Sequence, residues 1–205
     1  MLRRLRGRLR ALWPVRYDES FFTARWFENW QRLAPVLGAL LTHDKGWRTF
    51  VDSGCGPGIM IDWMHARGFD YSGWDPSAAA RALYLQHFGK YPGHYLTSLE
   101  PALQRSFDVM LSFDVFEHLR DEEVAELLQR PWQVRRLLAN ISREPGIPGH
   151  INIKSDRAWI DFVGKHGWAL DEAGTTGLRE LYRTLRPKGE DLWHQNMFLL
   201  APRGR

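Results

Sequence analysis

An α/β fold, doubly wound, with helices on both faces of a mostly parallel seven-stranded sheet, is predicted for this chain by three observations. Short apolar runs alternate with helix-period segments along most of the 205 residues, and such alternation builds a parallel sheet with right-handed crossovers. The run Phe50-Val51-Asp52-Ser53 leads directly into Gly54-Cys55-Gly56-Pro57-Gly58, with glycines on alternate positions, as a strand does where it turns sharply into a helix. Two further apolar runs end on an acid, Asp75 and Asp114. Ligands of open α/β sheets gather at the carboxyl ends of strands, so these points mark one candidate edge.

The elements follow in order. Tyr17-Asp18-Glu19-Ser20 opens a helical stretch capped by Asp18 or Ser20, and Phe21, Phe22, Trp26, Phe27 and Trp30 make it strongly aromatic. Pro35 starts a further helix over Val36–Leu41. Then come a strand (Thr49–Ser53), a helix (Ile59–Ala66), a strand (Tyr71–Trp74), a helix (Ala78–Phe88) with Ser77 as its cap, and a short strand (His94–Thr97). Phe107–Phe113 reads as a buried strand, Glu122–Asn140 as a helix, Pro145–Gly149 as a turn and His150–Lys154 as the fifth strand. A helix over Ala158–Lys165, a strand over Trp168–Leu170 and a last strand over Gln195–Ala201 complete the series.

The chain divides into a basic tail over 1–16, a helical cap over 17–46 and the α/β domain over 47–205. The tail holds six arginines and no acid. Taking six from 28 basic residues leaves 22 against 24 acids, so the remainder is about −2. A nucleic-acid enzyme would carry its positive charge across the body, and no nucleic-acid partner is expected. Leu2, Leu5, Leu9, Leu12 and Trp13 fall roughly on one helical face of the tail. That pattern suits a solvated terminus, peripheral contact with an anionic membrane or a targeting segment. No apolar run approaches the roughly 20 residues of a bilayer span. A cytoplasmic location, with or without membrane association, is the expectation.

The glycine turn separates cofactor classes. A dinucleotide fingerprint reads G-x-G-x-x-G, but Ile59 stands where that pattern needs its third glycine. No Gly-Lys-Ser/Thr follows, which excludes a P-loop. Asp75, with Pro76 behind it, lies roughly 20 residues past the turn, where a carboxylate accepts hydrogen bonds from a ribose diol. An acid there also fits a nicotinamide cofactor. Cys55 is the only cysteine, so no intrachain disulfide forms, and a small side chain packed in the turn accounts for it better than a nucleophile. The histidines and acids lack H-E-x-x-H or C-x-x-C spacing, so no metal site is expected.

Asp52-x-Gly54-Cys55-Gly56-x-Gly58 resembles motif I of the class I S-adenosylmethionine-dependent methyltransferases, whose fold is Rossmann-like. The segment Asp114-Val115-Phe116-Glu117-His118-Leu119 resembles the D-V-x-E-H motif after the fourth strand in small-molecule members. The resemblance covers roughly residues 47–140. It implies an antiparallel last strand, S-adenosyl-L-methionine as cofactor and a small-molecule acceptor. It places Asp52, Gly54, Cys55, Gly56 and Gly58 under the amino-acid end of the cofactor, Asp114 at its methionine part and Tyr17 at its carboxylate, with the aromatic helix as a lid. His118 is the candidate base, Glu117 its orienting partner and His150 a second candidate, although the strand assigned to 150–154 puts His150 at the wrong edge. Many relatives carry a basic residue, Pro and Gly-Gly before the fifth strand, and Glu144-Pro145-Gly146-Ile147-Pro148-Gly149 departs from that. A fainter similarity around His150–Trp159 and Trp193–Phe198, to methyltransferases found beside sugar-modifying genes, points to a sugar or glycolipid hydroxyl. A nicotinamide oxidoreductase and a non-catalytic binding module remain the alternatives.

Overall fold

The computed structural model of the protein describes residues 17–43, 46–186 and 193–204. The basic tail of residues 1–16, and with it the membrane and targeting expectations, lies outside the described residues. Seven strands form one sheet: β1 (Thr49–Ser53), β2 (Asp70–Trp74), β3 (Tyr95–Leu96), β4 (Ser106–Phe113), β5 (Gln133–Asn140), β6 (Trp168–Leu170) and β7 (Met197–Pro202). Their order is β3-β2-β1-β4-β5-β7-β6. The first five are parallel, and β7 runs antiparallel to both β5 and β6. The doubly wound prediction and its reversed last strand therefore hold.

Successive residues of a strand face opposite sides of a sheet, and here both sides are covered. Phe50, Val109 and Leu111 feed one apolar cluster, and Val51 and Met110 feed the other. The first cluster is closed by α1 (Ala24–Thr42), α2 (Ile59–His65) and α7 (Glu172–Leu185), through Leu37, Leu40, Leu41, Ile61, Met64 and Tyr182. The second is closed by α5 (Asp121–Gln129) and α6 (Asp156–Lys165), through Val124, Leu127, Trp159 and Val163. Between them in sequence lie α3 (Ala78–His87), capped by Ser77 as predicted, and the short α4 (Glu100–Leu103).

Three elements differ from the sequence reading. The two N-terminal helices are one. Asp18 instead holds a turn, accepting from the Ser20 amide at 3.0 Å, and the helix starts at Ala24 with Thr23 accepting from the Trp26 amide at 3.2 Å. Pro35 sits inside α1 and removes the amide that would bond the Gln31 carbonyl. Such a loss costs about 3 kcal/mol in an exposed helix, and the buried face of Ala34, Leu37, Leu40 and Leu41 offsets it.

The helix expected over 122–140 ends at Gln129, and the fifth strand is 133–140 rather than 150–154. Pro131 cannot continue the helix. The buried Trp132 anchors the corner, its Nε1–H donating to the Leu127 carbonyl at 2.8 Å. Leu137, Leu138 and Ala139 favour helix by propensity, but here they are enclosed between β4 and β7, and tertiary context overrides propensity. The segment 150–154 pairs with no strand. Its Ile151 and Asn152 amides both donate to the Glu117 carbonyl, at 2.9 and 3.0 Å.

The join between α1 and α2 has no slack. A Cβ on Gly38 would meet the Trp63 ring at 1.9 Å. Gly38→Ala gains about 1 kcal/mol of helix propensity but forces the indole away, and overpacking of this kind costs about 1–3 kcal/mol. The expected result is a net loss of about 1 kcal/mol in urea unfolding; a variant more stable than the parent contradicts this packing.

Candidate active site

The carboxyl ends of β1, β2, β4 and β5 converge on a cavity of about 500 Å³, within the usual range for small-molecule sites. Its floor begins at the glycine turn. Gly54, Gly56 and Gly58 all take positive φ, at 89°, 52° and 68°, a region costly for any residue with a Cβ. Close packing adds to this: a Cβ on Gly54 would stand 2.4 Å from Val115, and one on Gly58 2.7 Å from Tyr84. The Gly54 and Cys55 amides both donate to the Trp74 carbonyl, at 2.8 and 3.1 Å.

Asp75 completes the tie. One carboxylate oxygen accepts from the Gly56 amide at 2.9 Å, the other from the Ser77 amide at 2.8 Å. Burial raises its pKa and these two bonds oppose the rise. Asp75 thus holds the turn as well as facing the cavity with Pro76 beside it. Asp52, Cys55 and Gly58 do not line the cavity and instead shape the turn from behind. Asp52 is buried and accepts from the Tyr71 hydroxyl at 2.7 Å; its other oxygen has no partner among the described residues. Burial pushes Asp52 up to about 7, against the Tyr71 bond. Burial, with the Asp52 and Asp75 charges, holds the Cys55 thiol well above its ordinary range, as suits a packing role rather than a nucleophile.

The other half of the cavity belongs to the turn after β4 and the loop after β5. Asp114 takes φ 55°, its amide bonded to the Asn140 carbonyl at 2.9 Å, and lines the cavity. Glu117 is fully buried; one oxygen accepts from the Ser142 amide at 2.8 Å, and the other has no partner among the described residues. Burial, reinforced by the Asp114 charge, holds Glu117 above the usual carboxylate range. His118 Nδ1 donates to the Gly149 carbonyl at 3.0 Å and His150 Nδ1 to the Glu144 carbonyl at 3.1 Å, which leaves Nε2 as the basic nitrogen of each ring. The rings meet edge to face with centroids 4.7 Å apart. Burial lowers both, His118 to about 4 with the help of its neighbour His150, so both are neutral near pH 7.

His150 therefore stands at the active edge, correcting the sequence expectation. With β5 at 133–140, residues 141–155 form a loop beyond the carboxyl end of that strand rather than entering it. The same shift brings in Ser142, Glu144, Ile147 and Pro148, which sequence reading missed. Arg130-Pro131 was the available signal, since it supplies the basic residue and Pro that precede the fifth strand in relatives.

The segment 17–30 forms one wall of the cavity. Tyr17 packs edge-on against Phe21 and His118, with centroids 4.9 and 5.8 Å away. Burial first, then the Glu117 and Asp75 charges, push its phenol up to about 12, so it stays protonated. Phe21, Phe22, Trp26 and Trp30 line the cavity, and Trp26 overlies Gly56, where an added Cβ would come within 3.2 Å. Glu117, His118 and His150 are brought together, their potential ligand atoms all within 4.8 Å of one another.

The fold and this edge define a Rossmann-like α/β architecture with its cavity at the carboxyl ends of the strands. A methyltransferase-domain family model matches residues 17–139, and the chain belongs to that family. An uncharacterized methyltransferase of Mycobacterium sp. (strain JLS) is 28% identical over 170 residues, covering 79% of this chain; the chain spans 61% of that relative's length. Magnesium protoporphyrin IX methyltransferase from Synechocystis PCC 6803 with bound S-adenosylmethionine superposes with a TM-score of 0.55 at 16% identity, covering 90% of this chain and 94% of that one. An O-methyltransferase from a trans-AT polyketide synthase multienzyme of Brevibacillus brevis, in complex with S-adenosyl-L-homocysteine, gives 0.53 at 16%, covering 86% and 73%. At 16% identity these two structures show that the chain shares their fold.

Asp52 offers a test of the turn's electrostatics. Its folded pKa of about 7 lies above the ordinary 3.8, so its contribution favours the folded state fully below about pH 4 and is lost as pH rises through 7. In Asp52→Asn this dependence vanishes. The stability of the variant relative to the parent should rise by up to about 4 kcal/mol between pH 4 and 8, read from urea unfolding of ligand-free protein; parallel pH profiles contradict the assignment.

Proposed function

We propose that the protein is an S-adenosylmethionine-dependent methyltransferase of the small-molecule, D-V-x-E-H type. Its acceptor is an oxygen on a small polar molecule such as a sugar or glycolipid hydroxyl. The observation that carries this reading is a single cavity with the glycine turn and Asp75 on one side and two neutral histidines on the other.

The residues fit the cofactor. At Gly54 and Gly56 bare backbone faces the cavity, in a cradle that a Cβ would fill. Each Asp75 oxygen spends one lone pair on a backbone amide and keeps another for a ribose hydroxyl. The protonated Tyr17 phenol is a hydrogen-bond donor for the cofactor carboxylate. Asp114, which lines the cavity, would offer negative charge to a sulfonium, and Asp52, Cys55 and Gly58 shape the turn from behind. When bound, the cofactor supplies an electrophilic methyl group, released as its carbon–sulfur bond breaks with the electron pair left on sulfur. The chain's own part is alignment and removal of the hydroxyl proton, which His118 Nε2 or His150 Nε2 can accept. The aromatic wall of Phe21, Phe22, Trp26 and Trp30 excludes water from the cofactor side.

Calorimetry tests the cofactor. S-adenosylhomocysteine is expected to bind and NADH not to bind; the reverse ends the proposal. Asp75→Asn removes charge from hydrogen bonds worth about 1.5–3 kcal/mol, so S-adenosylhomocysteine affinity should fall roughly 10- to 100-fold. Transfer of labelled methyl to fractions of a host extract identifies the acceptor, and label recovered on nitrogen or carbon refutes oxygen as the target.

A further inference from the structure

We propose that Glu117, His118 and His150 form a binding site for a divalent first-row transition cation on the acceptor side of the cavity. The site deepens the methyl-transfer reading and rests on it only for the cation's purpose.

Three features on different segments agree. Glu117 comes from the turn after β4 and is fully buried, yet one of its oxygens has no partner among the described residues. A buried, unpartnered carboxylate oxygen is costly, and a cation is the partner that repays it best. Each histidine is already locked as a ligand would be. The Nδ1–H of each is held by a backbone carbonyl, which fixes ring and tautomer and leaves the Nε2 lone pair free. The two carbonyls, from Gly149 and Glu144, lie in the loop after β5, which brings His150 to a residue 32 positions earlier.

The spacing is close to what a metal needs. The three ligand atoms lie within 4.8 Å of one another. Ligand atoms about 2.1 Å from a shared ion at tetrahedral angles are about 3.4 Å apart, so a pair at the 4.8 Å bound would close by about 1.4 Å through side-chain rotation. Two imidazoles and one carboxylate select zinc, manganese, iron(II) or cobalt over magnesium or calcium, which favour all-oxygen sites. Three protein ligands leave positions open for an acceptor oxygen, and a cation there would lower the pKa of the bound hydroxyl so that its proton passes to bulk water before methyl transfer. That is the task otherwise left to an imidazole; the two roles exclude each other, because a lone pair bound to a cation cannot take a proton.

A second trio, His65, Asp70 and His94, is equally close in space; the Asp70 oxygen not held by Arg105 faces His94 Nδ1 at 3.7 Å, but two of its other ligand atoms are taken. Asp70 pairs with Arg105 at 2.6 Å, and His65 Nε2 contacts the Tyr71 carbonyl at 2.9 Å. It serves as the internal control.

The full chain, stripped with a chelator, is titrated with Co²⁺ and with Zn²⁺ by calorimetry, and the Co²⁺ samples are read by visible absorption. One equivalent is expected at the site, with a cobalt spectrum of mixed nitrogen and oxygen ligation. Glu117→Gln, which keeps an acceptor for the Ser142 amide, and His150→Ala should each weaken binding roughly 100-fold or more, since losing even an outer partner of a ligand costs 10- to 100-fold. His65→Ala should leave it unchanged. S-adenosylhomocysteine affinity, measured on the same samples, reports folding of each variant and should move less than about threefold. No saturable cation binding by the parent, or binding that survives Glu117→Gln and His150→Ala but not His65→Ala, overturns the site. Cofactor binding without cation binding refutes this proposal alone. Cation binding without cofactor binding refutes the methyltransferase reading alone.

Discussion

The hydrogen bonds that join the glycine turn to the end of β2 are the constraint on which the site depends. A chain reversing at 54–58 exposes amides that a buried location cannot leave unpaired. The Trp74 carbonyl takes two of them and Asp75 takes a third. The carboxyl ends of β1 and β2 are thereby locked in register, so that Asp75 reaches the cavity already oriented by protein. Glycine is required because the φ values are positive and because Val115 and Tyr84 press on the turn. Val115 belongs to the segment after β4, so the turn also positions the opposite wall.

How much of this was legible in the sequence follows from where local and tertiary forces agree. At β1, β2, β4 and the Ser77 cap they agree, and the reading matches the structure almost residue for residue. At β5 they conflict. The Leu137-Leu138-Ala139 run prefers helix in isolation, and only burial on both sides makes it a strand. Pro131 was the local sign that the helix had to stop. Missing it moved the fifth strand some 17 residues down the chain, since 133 became 150, and turned a loop at the active edge into a strand pointing the wrong way. The aromatic segment shows a different limit. The spacing of Phe21, Phe22 and Trp26 cannot tell a core stripe from a cavity wall, because both demand apolar surface; Phe21 and Phe22 line the cavity from the stretch before the helix and Trp26 from its first turn.

The charge in and around the cavity is the last link between structure and chemistry. Asp52, Asp75, Asp114 and Glu117 all lie at the carboxyl edge of the sheet, in a body whose balance outside the tail is slightly acidic. Burial raises Asp52, Asp75 and Glu117, and neighbouring acids add to the rise at Asp52 and Glu117. No arginine or lysine lines the cavity among the described residues. An enzyme for an anionic acceptor would place cations there. Carboxylates held this way destabilise the ligand-free fold, and a positively charged ligand recovers that energy on binding, because whatever binds only the folded state stabilises it. A sulfonium is such a ligand, and so is a divalent ion at Glu117. In the proposed reaction the sulfonium would lose its charge as the methyl departs, and a cation held at Glu117 would lower the pKa of the acceptor hydroxyl. Asp75 by itself suits a neutral ribose diol, so Asp114 and Glu117 are the acids at this edge that a cationic ligand would use.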